Sequence, residues 1–335
     1  MRWLKLQTRS ERGATAVMVA IVMVPVIACL GIALDVGALY AERAQLQNGA
    51  DAAALAIGQD CAEDDACPAD PTAMAGEYAS KNANDSAANA LISAFGTTAT
   101  GSRTVAVESR TRVAATGAAV MEHPFAAIVG ATASSVHAHA TVEWGAPIES
   151  AVLLPIAISY CEFRPALDGT VQLIRYDQEL TCASRDGHPI PGGFGWLERA
   201  AGCTALVDTT DLTVPSEPGN SYPNSSACDS LLMTLAGKTI LVPIFDGALN
   251  NAGVNDTSGP ADRYHIYGFA AFKILGWKFS GSSTLPKTSL VPGGPSCTGN
   301  CRGIIGSFVN WVPPDDALSD LGGPNLGAYN VRLTQ

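Results

Sequence analysis

The stretch Arg43-Ala44-Gln45-Leu46-Gln47-Asn48-Gly49-Ala50-Asp51-Ala52-Ala53-Ala54-Leu55-Ala56 decides how this chain is read. Val36, Leu39, Leu46, Ala50, Ala53 and Ile57 recur at spacings of three, four and seven, while Glu42, Arg43, Gln45, Gln47 and Asp51 fall mostly between them. That is the period of one face of an amphipathic helix. Immediately upstream, Gly13 to Leu34 gives 22 consecutive uncharged residues. As a helix they would be about 33 Å long, the thickness of a bilayer's hydrocarbon core. Pro25 lies mid-run, where a membrane helix tolerates it as a kink. No proline interrupts residues 26–67, so run and stripe are expected to form one helix, apolar all round and then one-faced.

Charge supplies the orientation. Arg2, Lys5, Arg9 and Arg12 against Glu11 give residues 1–12 a charge of +3, and the remainder carries −14 of the net −11. A basic end, an apolar run and an acidic body are the pattern of a protein crossing a membrane with its N-terminus inside. The expectation is a single-pass protein of the cell membrane, with a cytoplasmic N-terminus and an exported C-terminal body. The 335 residues are 47% hydrophobic and 15% charged, which excludes a wholly disordered chain. No basic patch suits a nucleic-acid partner. A cleaved signal peptide would have a shorter apolar core. Val26-Ile27-Ala28-Cys29 loosely fits a lipoprotein signal, but Leu30, Ile32, Ala33 and Leu34 carry on apolar where a polar tether should start. A retained anchor is therefore expected.

Glu11-Arg12-Gly13-Ala14, the apolar run, then Leu34-Asp35-Val36-Gly37-Ala38-Leu39-Tyr40 and the stretch from Arg43 to Ala56 together resemble the N-terminal region of TadG-like and TadE/G-like proteins of the Flp (tight-adherence) pilus system. The resemblance covers about residues 9–58. It implies a component of pilus assembly whose partners are the membrane and other Flp/Tad proteins. One position departs from the prepilins of that system, which carry a glutamate five residues beyond the cleaved glycine. Counting from Gly13, that position is Met18. The departure favours a stably anchored component over a polymerising pilin.

Residues 60–75 read as a loop holding Cys61 and Cys67, and 73–94 as an Ala-rich helix with Tyr78 and Leu91 among its apolar groups. Residues 104–110 alternate like a strand, as do 135–144. Between them, His123-Pro124-Phe125-Ala126-Ala127-Ile128-Val129-Gly130 reads as a short helix ended by glycine. This segment with its following strand is also similar to the TadE/G families. Near residue 146 the composition shifts: Gly plus Pro rises from 15 of 146 residues to 38 of 189, and aromatics from 6 to 16. Candidate strands beyond it are 151–160, 170–176, 239–245, 264–272 and 303–312, with loops at 213–226 and 280–300. The fold expected is α+β: a cytoplasmic segment 1–12, a transmembrane and amphipathic helix 13–60, a pilin-like α+β unit 61–146, and a disulfide-bonded β-rich exported domain 147–335. In the last, Phe163, Trp196, Phe269, Phe272, Trp277 and Trp311 are the expected core aromatics.

Outside the apolar run lie eight cysteines: Cys61, Cys67, Cys161, Cys182, Cys203, Cys228, Cys297 and Cys301. An even number beyond a membrane-crossing segment suggests disulfides in an oxidising compartment. The simplest guess pairs neighbours, 61–67, 161–182, 203–228 and 297–301, although eight cysteines allow 105 pairings. His137 and His139 with Glu143 have zinc-compatible residue types, but alternation on a solvent-facing strand gives the same spacing. Gly237-Lys238-Thr239 lacks the upstream glycine of a phosphate loop, since Leu232 stands there. No catalytic, cofactor or metal residues are therefore assigned. The function expected is a non-enzymatic, membrane-anchored structural or scaffolding component of Flp pilus assembly. The alternatives are a surface adhesin, or an exported carbohydrate-binding or hydrolase domain on a membrane stalk. Two facing carboxylates in a concave site would favour the hydrolase.

Overall fold

The structure, a computed structural model, describes residues 12–63, 66–113, 115–163, 169–177, 182–183, 187–190, 192–211, 213–217, 222, 226–255, 261–280, 291–310 and 320–334. The basic segment lies outside these residues apart from Arg12, whose backbone opens the first helix. Trp311 also lies outside them.

Helix α1 (Arg12–Glu63) is continuous over 52 residues and carries Pro25 inside it. From Thr15 to Leu34 its side chains are exposed, and Gly31 alone is covered. Val36 remains exposed and Leu39 half-buried, so the stripe engages the body only from Leu46 onward. There Leu46, Ala50, Ala53, Ala54, Ile57 and Cys61 are fully buried. Helix α2 (Pro71–Asn82) packs back along this part of α1. Its start is set by Asp70, whose carboxylate accepts the Ala73 N–H at 2.9 Å, and by proline in the first turn.

The helix expected to reach residue 94 stops at Asn82, and β1 (Ala88–Thr97) occupies its second half. The break is local chemistry. Asp85 Oδ1 accepts the Ala87 N–H at 2.9 Å in an Asx turn, and the Asn84 N–H donates to Gln45 Oε1 on α1 at 2.8 Å. Beyond the turn, buried Ala88 and Ala90 alternate with exposed Asn89 and Leu91, the period of a strand. Strand β2 (Arg103–Thr111) pairs antiparallel with β1. A two-residue ladder, β3 (Met121–Glu122) with β4 (Ala133–Ser134), frames a 3-10 turn at Ala126–Val129 that ends on Gly130 at φ 90°. Strand β5 (His137–Pro147) then pairs antiparallel with β2.

The second half is built on a larger sheet. In chain order come β6 (Glu149–Val152), β7 (Ile156–Ser159), a helical turn α3 (Tyr160–Phe163), β8 (Gln172–Arg175), β9 (Phe194–Trp196), β10 (Ala205–Asp208), β11 (Val214–Pro215), α4 (Ser226–Leu235), β12 (Thr239–Leu249), β13 (Arg263–Lys278) and β14 (Gly303–Phe308). The strand order is β8-β14-β13-β12-β7-β9, with β11 also on β13, and β12 runs parallel to β7. Strands β12 and β14 are buried on both faces, which is why Ile240-Leu241-Val242-Pro243-Ile244-Phe245 is apolar without alternation. On one face Ile240, Val242, Ile244, Phe272 and Ile274 pack with Leu232 and Leu235 of α4 and with Phe194, Trp196, Tyr222 and Phe279. On the other, Leu241, Phe245, Phe269 and Ala271 meet Val152 and Val207 from the β6–β10 pair. Trp196, Phe269, Phe272 and Trp277 are fully buried and Phe163 is half-buried.

Disulfides join Cys61 to Cys67, Cys161 to Cys182, Cys203 to Cys228, and Cys297 to Cys301. The first ties the end of α1 to the loop before α2, and the third ties the turn at Ala201–Cys203 to α4. In the chain-entropy picture they contribute roughly 2 kcal/mol for the shortest loop to about 3.5 kcal/mol for the longest, by constraining the unfolded chain.

The final segment returns to the first sheet. Strands β15 (Leu321–Gly323) and β16 (Asn330–Leu333) pair with β5 in the first sheet rather than with the β-rich half. Arg332 holds β16 there, donating through Nε and Nη2 to Glu143 Oε2 at 3.0 and 2.9 Å, while Ser102 Oγ donates to Glu143 Oε1.

Two variants test this packing. A Cβ at Gly58 would stand 2.6 Å from Val142 Cγ1 and 3.0 Å from Val331 Cγ1. Gly58→Leu should therefore cost about 1–3 kcal/mol by overpacking, read as a lower melting temperature of the detergent-solubilised chain. Glu162 has a buried Oε1 without a hydrogen-bond partner among the described residues, and burial pushes its carboxyl above the usual range. The stability associated with the protonated acid is present below the unfolded-state pKa and lost as pH rises through the raised one. Glu162→Gln should accordingly raise the melting temperature at neutral pH and leave it unchanged in acid.

Candidate functional site at the base of the apolar helix

Asp35 is the first charged residue after the uncharged run, and it is 6% exposed. A carboxylate in that position must find donors, because an unpaired buried charge is costly. It finds them on the turn between β3 and β4: Asp35 Oδ2 accepts the Phe125 N–H at 3.1 Å and the Ala126 N–H at 2.5 Å. One turn earlier, Gly31 leaves room for the Phe125 side chain, since a Cβ there would lie 2.9 Å from Phe125 Cβ. Gly31 and Asp35 are four residues apart and so share one helix face. The glycine gives close approach and the carboxylate gives attachment. The helix at Asp35 and the turn at Phe125 therefore meet in space although 90 residues separate them.

Further along α1 the Gln-Leu-Gln-Asn stretch is used in the same way. Gln47 Nε2 donates to Asp51 Oδ1 at 2.8 Å and to the His139 carbonyl on β5 at 2.9 Å. Gln45 accepts from the turn that starts β1, and Gly49 admits the α2 backbone, where a Cβ would sit 3.1 Å from Ala79 Cα. These residues organise the helix against its own body.

His137 and His139 are exposed on β5, with ring centroids 5.4 Å apart. Glu143 does not join them, being engaged by Arg332 and Ser102. Glu108 lies opposite His139, and its hydrogen bond to Arg110 holds its carboxyl below the usual range. The eight cysteines stand in the four bridges at separate points of the fold. Asp35, Gly31 and Phe125 were not among the site residues read from sequence; the signal was an isolated acid at the end of an apolar run.

A cleft of about 230 Å³ lies where the final segment meets the first sheet, lined by Ala62, Arg103, Trp144, Asn325 and Tyr329 together with Gly101, Gly145 of β5, and Gly322 and Gly323 of β15. Among the described residues no carboxylate lines it. Asn325 Nδ2 donates to the Ala62 carbonyl at 3.1 Å and so satisfies the last turn of α1 from within this cleft.

Residues 13–59 match the Tad family, described as "Putative Flp pilus-assembly TadE/G-like". The matched stretch is α1 less its last turn, including Gly31, Asp35, Gln45, Gln47 and Gly58, and it points to a role in Flp pilus assembly. No curated protein and no solved structure matches the chain.

Removing the carboxylate should release the turn from α1. Asp35→Ala is expected to speed amide exchange at Phe125 and Ala126 about ten- to a hundredfold, the equivalent of hydrogen bonds to a charged group. Amides of β2 and β5 should be unaffected. The comparison is made by hydrogen–deuterium exchange on the full chain in nanodiscs.

Proposed function

We propose that the chain is a non-enzymatic, membrane-anchored component of Flp pilus assembly whose role is structural. The observation that carries this reading is the division of the Tad segment. Its first half, up to Leu34, is a helix long and apolar enough to cross a membrane, with its side chains exposed. Its second half is the central packing element of a folded body. A bilayer would cover the first half and leave the body just outside it. The +3 flank and the −14 remainder support an orientation with residues 1–12 in the cytoplasm and the body exported. Disulfides support an oxidising compartment for the body.

In this role the helix holds the protein in the membrane beside pilin helices of similar design. The exported surface meets pilus subunits or the envelope. The domain division proposed with it assigns 61–146 to a pilin-like unit and 147–335 to the exported β-rich domain, with β15 and β16 strapping the second to the first.

Topology and partnership test the reading together. Protease added to intact cells lacking a wall should degrade the body and spare the segment before α1. The chain should co-purify with pilus or membrane-machinery components, and cells lacking it should lose pili. A fully protected body would reverse the orientation. Normal pili that merely fail to attach would replace the assembly role with that of an adhesin.

A further inference from the structure

We infer that the β3–β4 hairpin is a second membrane contact, whose tip enters the headgroup layer of the bilayer beside α1. The inference rests on the membrane-anchored reading above and adds a lipid-binding element outside the Tad segment. Three observations carry it.

The first is level. Phe125 packs against Gly31, which lies inside the uncharged run, three residues before its end at Leu34. At about 1.5 Å per residue, the contact is roughly 5 Å inside the apolar end of the helix. A hairpin attached there cannot stay clear of a surface that the helix crosses.

The second is composition. Pro124 to Ala133 contains no charged residue, whereas a solvent-facing loop is ordinarily polar. Ile128 is 86% exposed and Phe125 46% exposed, and Ala127 is exposed between them.

The third is the backbone. Hydrocarbon tolerates only backbone whose amide groups are already satisfied, so a tip beside it gains from internal hydrogen bonds. Phe125 and Ala126 donate to Asp35, Ala127 to the His123 carbonyl, Ile128 to Phe125, Gly130 to Ala127, and Ala131 to Ala126. Pro124 has no N–H to satisfy. The tip thus presents apolar side chains on a backbone that needs little water. An apolar body of this kind, held at the edge of the hydrocarbon, is the chemistry of an interfacial anchor. A protein partner could also bury Phe125 and Ile128, but the contact with Gly31 puts lipid nearest to them.

The test uses the full chain in vesicles of phosphatidylcholine and phosphatidylglycerol, with a nitroxide at one site and power saturation by oxygen and by a water-soluble nickel chelate. Cys29, the free and exposed cysteine within the run, reports on α1. Cys29→Ser/Ile128→Cys reports on the tip, and Cys29→Ser/Leu206→Cys on an exposed apolar position in β10. The expected result is a tip label several-fold more accessible to oxygen than to the chelate, approaching the Cys29 label and unlike the Leu206 label. A tip label as accessible to chelate as that at Leu206 overturns the inference. So does a tip shielded from both relaxers with spin–spin broadening, which would mean a second copy covers it. A Cys29 label that is itself open to the chelate would instead overturn the membrane-anchored reading.

Discussion

At Gly58 the backbone of α1 lies so close to Val142 on β5 and Val331 on β16 that no side chain fits between them. A turn or more earlier, Gly49, Ala50, Ala53 and Ala54 bring the same helix against α2 and the first sheet. Close approach maximises the dispersion contacts of a helix face that has few large side chains to bury. Leu46 and Ile57 are the large residues of this face, and the rest of the core is assembled from Val105, Val107, Val142, Trp144 and small residues of α2. The constraint reaches both ends of the chain. The helix that would cross the membrane is the one the body is folded around, so the body cannot detach from its anchor without unfolding. The strand that closes the sheet over Gly58 is β16, about 190 residues beyond the part of β5 with which it pairs.

That last strand belongs to a segment which touches each hydrophobic cluster in turn. Leu321 and Ala328 enter the face of the large sheet that β6 and β10 cover, Leu326 the opposite face, and Tyr329 the core under α1. Asn325 adds a hydrogen bond to the end of α1, and Arg332 neutralises the largely buried Glu143. The pair spans β16 and β5 and brings a cation to a carboxylate that would otherwise be left buried beside a single hydroxyl. The two halves of the molecule thereby share one closing element. Folding of the first sheet is then coupled to folding of the second, although residue 146 separates them in composition.

Much of this was legible in the residue pattern, for definite reasons. Period 3.6 in Leu46, Ala50, Ala53 and Ile57 and period 2 in 104–110 and 135–144 are direct imprints of one-sided burial. The segments 239–245 and 264–272 between turn-rich stretches were legible as strands, and β12 and β13 occupy them. What escaped depended on partners distant in sequence. Ala88, Ala90 and Ile92 form a strand because β2 is beside them; in isolation their alanines read as helix. Strands β9 and β10, of three and four residues, are too short to show a period. Strand β16 alternates weakly and is fixed by pairing with residues 142–145. The junction was visible only in part. Asp35 marked the end of the run, but nothing local said that its donors lie at 125 and 126.

Those donors explain why the end of the run is defined so sharply. A carboxylate at the edge of hydrocarbon either stays hydrated, which leaves the helix free to slide along the membrane normal, or is satisfied by protein. Asp35 takes the second course and, with Gly31, fixes a folded hairpin to one face of α1 at one level. The helix continues unbroken from this point into the core, with no proline or loop to act as a swivel. In the proposed topology, tilt and rotation of the anchor are consequently transmitted to the exported body as rigid motion. The hairpin gives the body a second point of reference on the same surface. Two contacts with a plane restrict tilt as one axial helix cannot. A structural component whose exported face must meet its partners at a set angle gains that restriction from Asp35 and Gly31, both within the Tad segment.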